Sequence, residues 1–309
     1  MNKKYIVLLC GVAVLSLIAG IALSGGFSCG KDIPAYKIYS YDGSASSMSR
    51  LVSAAGEADI VLFGETHNCP VAHWLELELT KALWQKDSSG LVLGAEMFER
   101  DNQQQVDDYV ARRIGSDELV EQARVWDNFW TDYEPLIFFA RDHSLKFVAT
   151  NVPRRYAAYV KDNGLEALDS LPESDKAYMA PLPIPFEASE ESDQMFALMR
   201  MMSGSHSDGP SYYAEAQALK DATMAWSIAE AFAEGCPDGS PVRQFIHYNG
   251  NYHSDNRGGI VPYLEGYLPG KRIVTVCCVR QDDISSLDEE NAGRADFIIA
   301  VPVDMTMTF

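Results

Sequence analysis

Basic residues are scarce in this sequence of 309 residues. It has 25 Lys and Arg against 44 Asp and Glu, which gives a formal net charge of -19. No basic stripe is left to neutralise the phosphates of a nucleic acid or the headgroups of an anionic lipid surface. The composition therefore argues against nucleic acid as a partner, and any anionic ligand has to be held by a local cluster of Arg or Lys.

Closely spaced cysteine pairs are lacking as well. None of the six cysteines shows Cys-x-x-Cys spacing, so a structural zinc site is not expected. A disulfide among Cys69, Cys236, Cys277 and Cys278 stays open, because the sequence cannot give the pairing.

The N-terminus carries a targeting signal. Lys3 and Lys4 precede an uncharged apolar run, Tyr5 to Ser24, and a stretch of small residues then leads to Cys29. The length of the run favours a membrane anchor, whereas a Cys after such a run resembles a lipoprotein processing site whose thiol receives the lipid. The match departs from the usual pattern at Gly26, where Leu is common. Under either interpretation residues 1–29 direct the body of the protein out of the cytoplasm, into a bacterial cell envelope.

The remaining chain predicts an α/β fold. Residues 30–50 are rich in Ser, Gly and Tyr and indicate a linker, and residues 51–309 form the predicted domain. Short apolar runs predict strands buried on both faces at Ile60–Phe63, Leu91–Ala95, Leu145–Ala149, Phe245–Tyr248, Ile273–Cys277 and Phe297–Val301. Helical patterns lie between them at Val71–Gln85, Gln103–Arg112, Glu134–Asp142, Arg154–Lys161 and Tyr212–Ala233. This alternation predicts a mostly parallel sheet flanked by helices.

Residues 165–210, rich in Pro and Met, predict a smaller helical insertion or lid.

Polar residues collect directly after the predicted strands. Glu65 and His67 follow the first strand, Glu96 follows the second, and His253 follows the fourth. The carboxyl ends of parallel strands meet at one edge of a sheet, so we expect these four side chains to line one cavity. Each could be structural by itself, but two carboxylates and two imidazoles together suit a divalent metal or general acid-base catalysis. His73 is a further candidate for the same cleft.

A glycine followed three residues later by a histidine occurs at two of these strand ends. Gly64-Glu65-Thr66-His67 and Gly250-Asn251-Tyr252-His253 share the form Gly-x-x-His at equivalent places. Glycine lets the backbone turn sharply or approach a ligand closely, which favours a functional site over a chance placement.

With those residues, the sequence resembles the ChaN-like haem-binding uptake family, a branch of the Tiki-like grouping. The resemblance covers roughly residues 58 to 285. It depends most on the segments Leu62–His67, Ala95–Arg100, Trp126–Trp130 with Tyr133, and Asn151–Arg154, and it extends to Gln217, Asp221, Met224, Ala225, Gly250 and His253. It implies an outer-membrane lipoprotein with a parallel sheet, a helical subdomain and haem bound by dimerising monomers.

Haem binding would need an iron ligand and cations for the propionates. His or Tyr can ligate the iron, which makes His206, Tyr212, Tyr213 and Tyr252 candidates. The candidates for the propionates are Arg100, Arg154 and Arg155. The sequence has no haem-attachment motif.

A second hypothesis for the same crevice is that the protein is a hydrolase. Related Tiki-like proteins and erythromycin esterases use Glu and His at matching positions, and Glu65, His67, Glu96 and His253 are all present here. A water activated by a metal or deprotonated by a His would be the nucleophile.

Overall fold

A parallel sheet with one antiparallel edge strand organises the unit that spans Ala35–Phe309. The computed structural model describes residues 33–187 and 212–309, and within those ranges the sheet has seven strands in the order β1-β7-β6-β2-β5-β3-β4. Only β1 runs antiparallel to its neighbour. The strands are β1 Lys37–Ser40, β2 Ile60–Glu65, β3 Leu91–Glu99, β4 Lys146–Asn151, β5 Gln244–Gly250, β6 Ile273–Gln281 and β7 Phe297–Pro302.

Helices connect the strands. Among the described residues they are α1 Met48–Ala55, α2 Pro70–Lys86, α3 Gln103–Val110, α4 Ser116–Gln122, α5 Glu134–His143, α6 Arg154–Asn163, α7 Glu173–Lys176, α8 Tyr213–Glu234 and α9 Ile260–Tyr267. No helix in the described ranges combines the length and apolar character needed to cross a bilayer. The predicted α/β class and the six predicted strands are confirmed.

Alternating side chains of the central strands fill two hydrophobic cores. Val61 and Phe63 of β2 belong to the core shared with α2 and α5. Ile60 and Leu62 belong to the opposite core, which includes Met224 and Ile228 of α8 and Ile260 of α9. Burial of each large apolar side chain contributes roughly 1.5–3 kcal/mol. Because the central strands are covered on both faces, their sequences are nearly continuous apolar runs.

The prediction of a linker over residues 30–50 is wrong from Lys37 onward. Ile38 and Tyr39 are buried in β1, and the Tyr39 hydroxyl donates to the carbonyl oxygen of Ile284 at 2.5 Å. Ser47 caps α1 by accepting a hydrogen bond from the backbone N–H of Arg50. Two of the residues that suggested a linker, Ser47 and Tyr39, are therefore a capping residue and a buried edge-strand residue.

The predicted helical insertion is described only over its first half. Residues 165–187 contain the 3-10 helix Leu165–Ser170 and α7, with no strand. Residues 188–210 lie outside the described residues, as do the predicted targeting segment 1–29 and its Cys29. Cys69, Cys236, Cys277 and Cys278 form no disulfide.

Candidate functional site

The candidate site lies where three adjacent strands end. β5 pairs with β2 on one side and β3 on the other, and Glu65 at the end of β2 is in register with Gly250 at the end of β5. The pairing of β3 with β4 shifts register between Ala95 and Glu99, and Glu96 lies in this irregular stretch. Such irregularities re-aim side chains at functional edges.

A cavity of about 710 Å³ opens at this edge. Its lining residues are Glu65, Thr66, His67, Asn68, Glu96, Glu99, Trp126, Asn151, Val152, Arg154, Gln217, Lys220, Gly250, Asn251, Tyr252, His253 and Phe309. The four site residues predicted from the sequence are therefore all in one cavity.

Glu65 and His67 form a dyad at the cavity wall. His67 Nδ1 lies 2.7 Å from Glu65 Oε1, and the carboxylate is fully buried while the imidazole is 41% exposed. Burial alone would raise the pKa of Glu65, but hydrogen bonds from His67 and His73 bring it to about 2. The anionic carboxylate fixes the Nδ1–H tautomer of His67, which leaves Nε2 free of hydrogen bonds to described residues.

His67 fits because position 250 is glycine. A Cβ added at Gly250 would lie 2.7 Å from His67 Cε1 and 2.8 Å from Nε2. The glycine of the second Gly-x-x-His pattern thus gives space to the histidine of the first.

His253 is held quite differently. Its Nδ1 lies 2.5 Å from Asp221 Oδ1, and its Nε2 lies 3.2 Å from Glu96 Oε1. Burial would lower the pKa of His253, but the charges of Glu96 and Asp221 raise it to about 10. Glu96 also accepts the backbone N–H of Gly250 at 2.8 Å, and His253 holds its pKa well below the ordinary range despite burial. At neutral pH His253 is therefore a positively charged residue that bridges Asp221 and Glu96, and both of its ring nitrogens are occupied.

Glu65, His67, Glu96 and His253, the residues predicted to hold a metal, form acid–imidazole pairs in this structure. Carboxylates contact both ring nitrogens of His253 and Nδ1 of His67. That these four residues bind a metal stays a prediction.

Tyr133 and His73 contact the Glu65 carboxylate on the side away from the cavity. Tyr133, in the π-helical turn Phe129–Tyr133, donates its hydroxyl to Glu65 Oε1 at 2.8 Å. His73 of α2 is buried, and its Nδ1 lies 3.2 Å from Glu65 Oε2. His73 was a candidate for the cleft, but it is not among the residues that line the cavity. Sequence reasoning missed Glu76, which contacts His73; the spacing i, i+3 on a predicted helix was its signal.

The cations predicted for haem separate into two groups. Arg154 lines the cavity, 76% exposed and 3.9 Å from Glu99 Oε1. Arg100 instead pairs with Glu230 and donates to Ser227, and Arg155 pairs with Asp101. These two do not line the cavity, because acids on neighbouring elements bind their guanidinium groups.

The predicted iron ligands separate in the same way. Tyr252 lines the cavity, and burial raises its pKa to about 12. Tyr212 and Tyr213 lie at the start of α8 and are not among the lining residues. His206 lies outside the described residues.

Lys220 is a functional candidate that sequence reasoning missed. Gln217, Lys220 and Asp221 are spaced i, i+3, i+4 on α8 and so share the face toward the cavity and His253. The long helix was predicted, but its apolar pattern alone did not reveal which polar residues face the sheet edge.

The chain is similar to several known proteins. A curated relative, Protein RETICULATA-RELATED 5, chloroplastic, of Arabidopsis thaliana, is 30% identical over 189 residues, which is 58% of this chain. The matched region spans only 25% of that relative's length. A solved structure described as cofacial heme binding to ChaN of Campylobacter jejuni superposes with a TM-score of 0.61 at 17% identity, covering 85% of this chain and 96% of that one. An erythromycin esterase mutant in its open conformation reaches a TM-score of 0.46 at 10% identity, covering 80% and 77% of the two chains.

The superposition on the Campylobacter structure shows a shared fold. The family model described as haem-binding uptake, Tiki superfamily, ChaN matches residues 51–264. The segments on which the resemblance depends most, from Leu62 to Arg154, lie inside that match. The chain therefore belongs to the ChaN haem-binding uptake family of the Tiki superfamily.

Proposed function

We propose that the protein binds haem in the 710 Å³ cavity, with His67 Nε2 as the iron ligand. The observation that carries the proposal is the state of the two histidines in the cavity wall. His253 has both nitrogens engaged, whereas Glu65 fixes Nδ1 of His67 and Nε2 of His67 has no hydrogen bond to residues 33–187 or 212–309. A carboxylate on the other ring nitrogen orients a ligating imidazole and raises its basicity.

The residues present fit a haem. A volume of about 710 Å³ is in the range of sites for small molecules and cofactors, roughly 300–1,000 Å³. Trp126 and Val152 supply apolar wall, and Arg154 and Lys220 supply positive charge for the propionates. Tyr252 is the weaker iron ligand, because burial raises the pKa of its phenol and so disfavours the phenolate that would bind iron. When bound, haem would supply the iron centre that a haem-uptake protein carries.

The proposal extends to the place and partner of the protein. The apolar run with Cys29 supports attachment to a bacterial envelope, as a lipoprotein or through an uncleaved anchor, and a role in haem or iron uptake there. Haem held between two copies of the chain is part of the same proposal, supported by the family resemblance.

The test is a haemin titration of the full chain followed at the Soret band. We expect His67→Gln to weaken haemin binding at least tenfold, because the amide cannot replace the imidazole on iron. His143→Gln is the matched control, since His143 stacks on Phe139 and contacts Trp84 away from the cavity. Equal haemin affinity of His67→Gln and wild type would reject His67 as the ligand.

The Glu65–His67 dyad favours one alternative, a hydrolase. A carboxylate-oriented imidazole with a free Nε2 facing a polar cavity is the arrangement of a general base that deprotonates water. Turnover of an activated ester that disappears in His67→Gln and is blocked by haemin would support it. Absence of such turnover in a chain that binds haemin would leave haem binding as the function.

A further inference from the structure

A second cluster of ligating atoms lies behind the cavity wall. Glu65, His73 and Glu76 each offer one ligand atom, and these atoms all lie within 4.8 Å of one another. The side chains of both glutamates are completely buried, and that of His73 is 3% exposed. Among the described residues, this is the group of His, Cys, Asp and Glu side chains whose ligand atoms are gathered closely enough for one ion.

The tautomer of His73 is set by a backbone contact. Its Nε2 lies 3.1 Å from the carbonyl oxygen of His67, so Nε2–H donates there. Nδ1 is then the nitrogen that faces the acids, at 3.2 Å from Glu65 Oε2 and 3.1 Å from Glu76 Oε2. A histidine that ligates a metal commonly donates its other N–H to a carbonyl or carboxylate in this way.

The hydrogen bonds inside the cluster leave the acids undersatisfied. Both carboxylates share the one nitrogen Nδ1, and Glu76 Oε1 is buried without a hydrogen-bond partner among the described residues. Asp132, whose Oδ2 lies 3.6 Å from His73 Nε2, adds further acidic charge. Buried carboxylates are costly unless a counter-charge or a metal compensates them.

We propose that Glu65, His73 and Glu76 bind one divalent transition-metal cation, such as Zn²⁺, Mn²⁺ or Fe²⁺. Binding of the cation would release the proton from Nδ1 of His73. Two carboxylates and the resulting neutral imidazole then balance a charge of +2, and this mixed oxygen and nitrogen set suits such cations better than Mg²⁺ or Ca²⁺, which prefer oxygen alone. Glu65 would join the two sites, since Oε1 contacts His67 at the cavity while Oε2 faces the cation. The inference does not rest on haem binding, because none of the three ligands needs a haem.

The test uses the full chain, stripped with a chelator and titrated with Zn²⁺ by calorimetry. We expect one equivalent of Zn²⁺ to bind with micromolar or tighter affinity. Glu76→Gln should weaken this binding at least tenfold. Glu78→Gln is the matched control on the same helix, because Glu78 is 37% exposed and pairs with Lys81, and it should bind Zn²⁺ like wild type.

X-ray absorption of the zinc-loaded wild type gives a readout that does not depend on the folding of a variant. We expect one imidazole nitrogen, carboxylate or water oxygens and no sulfur around the zinc. Two imidazoles or a thiolate, absence of stoichiometric binding, or binding that is lost in His67→Gln but kept in Glu76→Gln would each overturn the proposal.

Discussion

At His253, two buried acids hold one imidazole. Because the pKa of His253 is raised from 6.5 to about 10, its ionised form contributes stability that is fully present below pH 6.5 and is lost as the pH rises through about 10. We expect Asp221→Asn to lower the free energy of unfolding by about 3 kcal/mol at pH 7, since breaking a buried pair exposes its full desolvation cost. The loss should shrink near pH 10.5.

Urea denaturation at the two pH values measures this difference. Asp162→Asn is the control, because Asp162 is 67% exposed at the end of α6 and should show little change at either pH. A loss in Asp221→Asn that stays constant from pH 7 to pH 10.5 would contradict a charged His253.

At Gly250, the missing side chain makes room for the proposed iron ligand. We expect Gly250→Ala to lower haemin affinity about tenfold, because the new Cβ would displace the His67 ring that now lies within 3 Å of that position. A Soret titration measures the change. Gly115→Ala is the control and should bind haemin like wild type, because a Cβ at position 115 meets no atom within 4 Å. Unchanged haemin affinity in Gly250→Ala would show that the position of the His67 ring does not matter for haem binding.

The two Gly-x-x-His patterns show how far residue-level prediction reaches. The sequence placed His67 and His253 correctly in one cavity, since both follow buried strands of the same sheet. It could not show that Asp221, 32 residues before His253, occupies one ring nitrogen while Glu96 contacts the other. Which nitrogen is free depends on tertiary contacts, and the local pattern does not encode them.

Among the elements, two helices bring positive charge to an otherwise acidic protein. Arg154 begins α6 and Lys220 lies on α8, and both line the cavity. We expect Arg154→Gln and Lys220→Gln each to weaken haemin binding by about three- to tenfold, as exposed or half-exposed charge pairs are worth roughly 1 kcal/mol. Their effect should vanish with the dimethyl ester of haemin, which lacks propionate charge.

Lys161→Gln provides the control for charge alone. Lys161 lies on α6 but contacts the Tyr213 ring and Asp162 and does not line the cavity. Equal losses of affinity for haemin and for its dimethyl ester would show that Arg154 and Lys220 do not bind the propionates.

The strands were easier to predict than the edges of the sheet. Each buried parallel strand is an apolar run that tertiary packing reinforces, as in β2 and β3, where every residue is buried. β1 has only four residues, one of them exposed, and it pairs with β7 far along the chain. So short an edge strand carries too weak a periodic signal, and its Ser- and Tyr-rich surroundings indicated a linker instead.

For the whole molecule, the proposed attachment to the bacterial envelope predicts a covalent modification. If Cys29 receives a lipid, a bacterium that expresses the full chain should incorporate labelled palmitate into it, and Cys29→Ser should abolish the label. Cys236→Ser is the matched control, since Cys236 is a partly buried free cysteine of the folded unit. Palmitate incorporation that persists in Cys29→Ser would contradict lipid attachment at this position.

The central claim is that haem occupies the cavity at the carboxyl ends of β2, β3 and β5. Anomalous diffraction at the iron edge from crystals of the haemin-loaded full chain tests it most directly. We expect one iron peak per chain inside the cavity, beside His67 and between Arg154 and Lys220. An iron peak elsewhere, for example in the hollow lined by Tyr263 and Tyr267, would contradict the account.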